Sequence, residues 1–283
     1  AAGVSVNFRD LTAPAELVTP SVTLEALVGD AVGDAVEGYL DDNPSLIANP
    51  AAAAAASRVP RFDVVLDFGA DRTGATSAVP AVEAALAAAN AAPGGIVFFP
   101  PGTYDLQAGL TTSITSSGVS IQGAGRRLTT LLFKSGSLFR WDGGPRDGGC
   151  SDMRIYCPTA PDTSSIILEV VTGTRQTFER LVVDNSYRIL RCGIGTTHGC
   201  SQPTIVDVRG YTANVAGATA FDFVSGSVLT MRDVVVFANC GFPQNATDSH
   251  PAAAGTTGVR FGRGAWDTIV IQNLDLNRYD IDF

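Results

Sequence analysis

The chain has 283 residues, of which 45% are hydrophobic and 17% charged, and it contains 30 glycines. This composition excludes a disordered chain and favours a fold with many strands and turns. The formal net charge of −9 argues against a nucleic-acid partner, because phosphate contacts need clustered lysine and arginine side chains. No apolar stretch reaches the roughly 18 residues of a membrane span, so we expect no membrane insertion.

The cysteine and histidine content predicts neither a metal site nor a disulfide framework. The chain has 5 cysteines and 2 histidines, and it contains no Cys-x-x-Cys pair. A structural zinc site needs closely spaced cysteine and histidine ligands, and small disulfide-rich domains have a dense, even set of cysteines. We therefore expect buried free thiols, no metal and no cofactor.

Residues 1–60 differ from the rest of the chain and predict a small helical module. Thr23 can cap a helix whose apolar residues between Leu24 and Leu40 recur at helical spacing, and the run Asp41-Asp42-Asn43-Pro44 ends it. One apolar stripe of this length is too small to form a core by itself. Its apolar face needs a partner, which is the β-domain, another copy of the chain or another protein. We expect the module to serve attachment or oligomerisation.

The segment after Pro60 predicts the start of a β-domain that extends over residues 61–283. Phe68 and the run Ile96–Phe99 are predicted to be buried strand residues bounded by glycine and proline. Ser77 is predicted to cap a helix that has Pro80 near its first turn. The apolar face of this helix would cover the open end of a stack of strands.

Short apolar-x-apolar strands then repeat at intervals of about 25 to 40 residues, which is typical of stacked supersecondary units. The pairs are Val119/Ile121, Met153/Ile155, Leu181/Val183, Val206/Val208, Val234/Val236 and Leu274/Leu276. Because no helical pattern lies between them, a coil of parallel strands is the simplest arrangement. The last strand has no recognisable cap, so we expect the natural chain to continue or a partner to cover this end.

Three segments carry a resemblance to a known family. They are Asp67-Phe68-Gly69-Ala70-Asp71, Gly94-Gly95-Ile96-Val97-Phe98-Phe99-Pro100-Pro101-Gly102-Thr103-Tyr104 and Val119-Ser120-Ile121-Gln122-Gly123-Ala124-Gly125. Together they resemble the entry to the right-handed parallel β-helix of the pectate-lyase-like superfamily, which includes phage tailspikes and polysaccharide-degrading enzymes. The resemblance implies a mainly β fold, a single-stranded right-handed parallel β-helix with an N-terminal capping helix.

Aligning the repeats on their apolar pairs places charged residues in two outward columns. The first column contains Asp152, Arg180, Ile205, Asp233 and Asn273, and the second contains Arg154, Val182, Asp207, Val235 and Asp275. Strand spacings then put Asp207 and Asp233 roughly 8 Å apart, a separation found between the carboxylates of inverting glycosidases. They are the candidate catalytic residues. The alternatives are solvated surface carboxylates, or a weaker lyase arrangement with Arg209 beside them.

Exposed aromatic side chains could stack on sugar rings. Trp141, Tyr211 and Trp266 are the candidate carbohydrate-binding residues, with both tryptophans in glycine-rich loops. The alternative for each is burial against the coil or against another copy of the chain.

The predicted function is that of a phage virion tail protein, a tailspike or tail fibre, assembled in the host cytoplasm. Residues 1–60 would attach it to other virion tail proteins, and the β-helix, expected to form a homotrimer, would bind host-surface polysaccharide. The first alternative is a free polysaccharide lyase or glycoside hydrolase on the same fold. The second is a purely structural virion element.

Overall fold

The computed structural model describes residues 59–194, 199–238, 255–262 and 268–277. The unit to which they belong begins at Val59, close to the predicted boundary after residue 60. The predicted helical module falls almost entirely outside the described residues, so it stays a prediction.

The described chain forms a right-handed parallel β-helix with three faces. All of its strand pairs are parallel, and each turn of the helix, here called a rung, contributes one strand to a face. The first face contains β1 (Arg61–Asp63), β3 (Gly95–Phe99) and β5 (Val119–Gly123), and the second contains β2 (Thr73–Ser77), β4 (Gly102–Asp105) and β6 (Thr129–Leu132). The third contains β7 (Ser137–Trp141), β9 (Ile166–Val170), β12 (Arg188–Cys192), β15 (Thr219–Phe223) and β17 (Thr257–Phe261).

In the later rungs the first and second faces share one long strand. These strands are β8 (Gly149–Tyr156), β11 (Thr177–Ser186), β14 (Thr204–Thr212), β16 (Val228–Ala238) and β18 (Thr268–Asn277). The first part of β8 pairs with β5 and its second part pairs with β6, so the strand turns a corner. Two short strands, β10 (Gly173–Thr174) and β13 (Cys200–Ser201), form a separate small sheet.

Each long strand turns this corner at one residue in the left-handed backbone conformation. The residues concerned are Asp152, Arg180, Asp207, Asp233 and Asn273, with φ between 51° and 60°. Aspartate and asparagine tolerate this region better than most non-glycine residues, which explains four of the five side chains. The corner residue interrupts the in–out alternation, because it and the residue before it both lie on the outside.

This interruption shows that one predicted register is wrong. Leu181 lies opposite Val208, not Val206. Asp207 is therefore aligned with Arg180, in the column of corner residues. The position beside Val182, which was predicted for Asp207, is occupied by Arg209. The same register places Asp207 next to Asp233 on the adjacent rung. The prediction failed because strict alternation was assumed throughout Ile205–Val208, where the corner falls.

The interior is filled by stacked apolar and aromatic side chains. Trp141 packs edge-to-face on Phe178, with ring centroids 5.3 Å apart, and Phe99 packs in the same way on Tyr104 at 5.2 Å. As predicted, cysteines are buried free thiols, at positions 150, 157, 192 and 200. Burial raises the pKa of Cys157 to about 12, which keeps it a neutral thiol.

The single described helix, α1 (Val79–Ala91), packs against β1 and β3. Its buried face, Val82, Ala85, Leu86 and Ala89, joins the core as predicted. The N-cap position is Ala78, one residue after the predicted cap. Ser77 ends β2, a strand that the sequence did not reveal, and its hydroxyl oxygen accepts a hydrogen bond from the Val79 amide at 3.4 Å.

Phe68 is also not a strand residue. It lies in the turn between β1 and β2, half-buried against the core. The Asp71 carboxylate organises the following turn by accepting hydrogen bonds from the backbone and hydroxyl groups of Thr73 and Thr76.

The last described rung has an open side. Ile269, Val270 and Ile271 of β18 are 42%, 40% and 39% exposed. Among the described residues, β18 is the terminal strand of its sheet, so its apolar side chains have no further rung above them. The described residues contain no helix that is long and apolar enough to cross a membrane.

Candidate ligand groove

A groove of about 890 Å³ lies on the second face, where the loop between β5 and β6 overhangs the long strands. Its volume is within the range of pockets that hold small ligands or a few sugar units. It is lined by Gly125, Arg126, Arg127, Leu128, Thr130, Arg154, Val182, Asp184 and Arg209.

The register of the second face builds the floor of this groove. Thr130, Arg154, Val182 and Arg209 occupy one outward column on four successive rungs. Two residues further along each strand, a second column contains Tyr156, Asp184 and Tyr211. Parallel pairing holds neighbouring members of a column about 4.8 Å apart, so the groove presents side chains at a nearly fixed spacing.

The wall of the groove is the loop that follows Gly123. Gly123 has no room for a side chain, since a Cβ there would lie 2.9 Å from the Cβ of Met153 on the next rung. The Gly125 amide donates to the Asp152 carbonyl at 2.8 Å, so the loop leans over the following rung. This places Arg126, Arg127 and Leu128 above the floor.

Four of the nine lining residues are arginines, whereas the whole chain has a net charge of −9. Arg154 donates from Nε to Asp184 Oδ2 at 2.6 Å and lies over the Tyr156 ring, 5.2 Å from its centroid. Arg127 is exposed and, among the described residues, has no ion-pair partner. The groove is therefore a local basic site on an acidic protein.

Asp184 is the buried carboxylate of the groove, with a side chain only 9% exposed. Tyr156 and Tyr211 flank it on the neighbouring rungs. Burial, and secondly the negative charge of Asp184, raise the pKa of Tyr211 to about 12. Tyr211 is thus a neutral phenol at neutral pH, able to donate a hydrogen bond or a proton.

The predicted catalytic carboxylates lie at the edge of this groove and beyond it. Asp207 contacts two of the lining arginines, and Asp233 lies one rung further on, where it accepts a hydrogen bond from Asn273 Nδ2 at 2.8 Å. Asp207 and Asp233 are neighbours in one column, not diagonal neighbours in two. The separation of roughly 8 Å that suggested an inverting pair therefore does not follow from their positions. Their proposed role in catalysis remains a prediction without that support.

The three predicted aromatic residues have different environments. Trp141 is fully buried inside the helix, so its assignment to sugar binding is wrong: the strand β7 turns its ring into the core, where it packs on Phe178. Tyr211 is half-buried beside Asp184, and its role in sugar binding stays a prediction. Trp266 lies outside the described residues.

Most residues of the groove are not recognisable from the sequence. Arg126, Arg127 and Asp184 were not singled out, and Arg154 was noted only as a column member. One signal was available, because an arginine doublet directly after a glycine turn between two strands is unusual in a chain with so few basic residues. Asp184 gave no such signal, since only stacking of the rungs shows that it is buried beside Arg154.

The fold and the groove define the protein as a right-handed parallel β-helix with a basic cleft on one face. Residues 62–279 match the family model described as rhamnogalacturonase A/epimerase, pectate lyase-like. The chain belongs to this family, and the predicted superfamily resemblance is confirmed. No curated protein matches the sequence.

The chain is also similar to solved structures, at low sequence identity. The ORF18 protein of Geobacillus virus E2 has a TM-score of 0.53 and 17% identity, and the match covers 79% of this chain and 49% of that one. An iota-carrageenase complexed to iota-carrageenan fragments has a TM-score of 0.47 and 14% identity, covering 64% and 49%. The A-module of a mannuronan C-5 epimerase from Azotobacter vinelandii has a TM-score of 0.41 and 16% identity, covering 77% and 70%. The matches thus include only 49% of the viral protein and of the carrageenase.

Proposed function

We propose that this protein is a polysaccharide-binding component of a phage virion, and that the groove on the second face is its binding site. In this proposal residues 1–60 attach the chain to other tail proteins, and the β-helix is presented to the host surface as a homotrimer. The pectate-lyase-like family and the likeness to a viral protein of the same fold support the proposal.

The observation that carries the proposal is the concentration of arginine in the groove. Arg127 is exposed on the wall, Arg154 lies on the floor beside Tyr156, and both face the same space. Guanidinium groups form bidentate hydrogen bonds with carboxylate and sulfate groups, and tyrosine rings stack on sugars. The preferred ligand is therefore an acidic polysaccharide.

Binding of the full chain to three polymers tests this site. We expect polygalacturonate or dextran sulfate to bind and neutral dextran not to bind, with an affinity that falls as salt is added. Arg127→Ala should weaken binding about ten-fold, the scale of one hydrogen bond to a charged group. Arg72→Ala is the matched control, because Arg72 is exposed and does not line the groove. Equal loss in both variants, or equal binding of all three polymers, would refute the assignment.

The virion role has an independent test. A tail appendage of this kind is expected to be a homotrimer, so the solution mass of the full chain should be three times 29.3 kDa. A strict monomer at micromolar concentration would count against the tail role, while leaving the groove and its binding unaffected.

A second candidate function is cleavage of the bound polysaccharide, which the buried Asp184 beside Tyr211 favours. Arginine could neutralise the carboxylate of a uronate, and a neutral tyrosine could protonate the leaving oxygen. The Asp184 carboxylate would then accept the other proton, from the attacking water in hydrolysis or from the sugar carbon in elimination. Both reactions release reducing ends, so reducing ends without ultraviolet absorbance would indicate hydrolysis, whereas the absorbance of an unsaturated uronate would indicate elimination. Binding without either signal would exclude cleavage and leave polysaccharide binding as the function of the groove.

A further inference from the structure

One arginine of the groove makes an unusually long connection along the β-helix. Arg126 follows β5, yet its guanidinium donates to Asp207 on β14, from Nη1 to Oδ1 at 3.1 Å and from Nη2 to Oδ2 at 2.7 Å. Strands β5 and β14 are three rungs apart, with β8 and β11 between them. At about 4.8 Å a rung this is about 14 Å, so loop and side chain together extend along the groove.

The Asp207 carboxylate is shared between two guanidiniums. Arg209 Nε lies 3.3 Å from Oδ1, in addition to the bidentate contact from Arg126. Asp152, in the same column, also accepts two hydrogen bonds from one arginine, Arg180. Arg180, however, lies on the adjacent rung and does not line the groove. The Asp207 cluster is thus basic overall and opens onto the groove.

The backbone at this position does not need a negative charge. Asp207 has φ 51°, and Asn273 occupies the same column position with φ 53°. A corner residue is therefore sufficient to turn the strand, and the carboxylate has a separate effect, which is to occupy Arg126 and Arg209. The Asp207 side chain is 26% exposed and that of Arg209 is 64% exposed, so solvent and solutes reach the cluster.

We propose that Arg126 and Arg209 form a subsite for one carboxylate or sulfate group of the polysaccharide, and that Asp207 is an internal counter-ion which fills this subsite until a ligand displaces it. The inference rests on the proposed function of the groove. Binding exchanges one carboxylate for another anionic group on the same donors, so Asp207 lowers the affinity and favours ligands with a high density of negative charge. It also makes Asp207 an inhibitory residue instead of a catalytic one.

The test is the Asp207→Asn substitution in the full chain, which keeps the corner conformation and removes the charge. We expect polygalacturonate and dextran sulfate to bind about five-fold more tightly, the scale of a partly exposed ion pair. Tighter binding of only one polymer would identify the group that the subsite accepts. Thermal unfolding of the variant should stay close to that of the parent.

Asp147→Asn is the matched control. Asp147 also has a left-handed backbone, φ 56°, and a bidentate arginine partner, Arg175, but it does not line the groove. It should leave the affinity unchanged, which separates a local effect from a change in net charge. Unchanged or weaker binding of the Asp207→Asn protein would overturn the proposal. If the parent protein binds and loses affinity in Arg127→Ala, such a result refutes the counter-ion alone. If the parent binds no acidic polymer, the proposed function itself fails.

Discussion

Arg154 is expected to serve both ligand binding and stability, and a double-mutant cycle with Asp184 can separate the two. Arg154→Gln removes the cation that pairs with the Asp184 carboxylate, which is 9% exposed, at an Nε–Oδ2 distance of 2.6 Å. An uncompensated buried charge costs about 3–5 kcal/mol. Because the Arg154 side chain is 43% exposed, water screens this pair, and we expect a loss of about 2 kcal/mol in the free energy of unfolding.

Asp184→Asn in the same chain removes the charge that Arg154 compensates. The double variant should therefore regain most of the lost stability, measured as the urea midpoint at constant slope. Its affinity for polygalacturonate should stay about ten-fold below that of the parent, because the groove still lacks the guanidinium.

The urea midpoint and the affinity for polygalacturonate can each refute one part of this prediction. If the double variant binds as tightly as the parent, Arg154 has only a structural role, and the floor of the groove does not contribute to ligand binding. If Arg154→Gln alone leaves the urea midpoint unchanged, the buried Asp184 carboxylate does not depend on Arg154 for its stability.

Two further predictions concern the stacking of the rungs. Gly149→Ala should destabilise the fold by about 3 kcal/mol, since the new Cβ would lie 2.8 Å from the Thr177 carbonyl carbon and 3.0 Å from its amide nitrogen on the next rung. Gly143→Ala is the control: a Cβ there has no atom within 4 Å, so it should cost only the roughly 1 kcal/mol of a left-handed alanine. Equal shifts of the thermal midpoint in the two variants would contradict this prediction. A hydrogen bond from Arg180 lowers the pKa of Asp152, so this contact stabilises the fold above the unfolded pKa of about 3.9 and is lost as the pH falls through the lower folded pKa. The urea midpoint of the parent should fall between about pH 5 and about pH 3, one unit either side of that pKa, and Arg180→Gln should make this fall smaller. An unchanged fall would show that other carboxylates control acid stability.

Local sequence was sufficient for the elements whose pattern is uninterrupted. The apolar run Ile96–Phe99, bounded by glycine and proline, predicted β3, and the spacing of Val82, Leu86 and Ala89 predicted the buried face of α1. It failed where one residue changes the pattern. Asp207 looks like any outward aspartate in the sequence, but its left-handed backbone turns a corner and shifts the alternation by one position.

The sequence by itself determined the class of fold, because repeated apolar strands, glycine and proline punctuation and an entry helix are all local features. The tertiary structure decided which side chains meet. Arg126 and Asp207 are 81 positions apart, and Arg154 and Asp184 are 30 apart. Contacts at such separations depend on the exact number of residues in every intervening turn, since each insertion or corner residue changes the register of the next rung. The groove therefore exists only as a consequence of stacking.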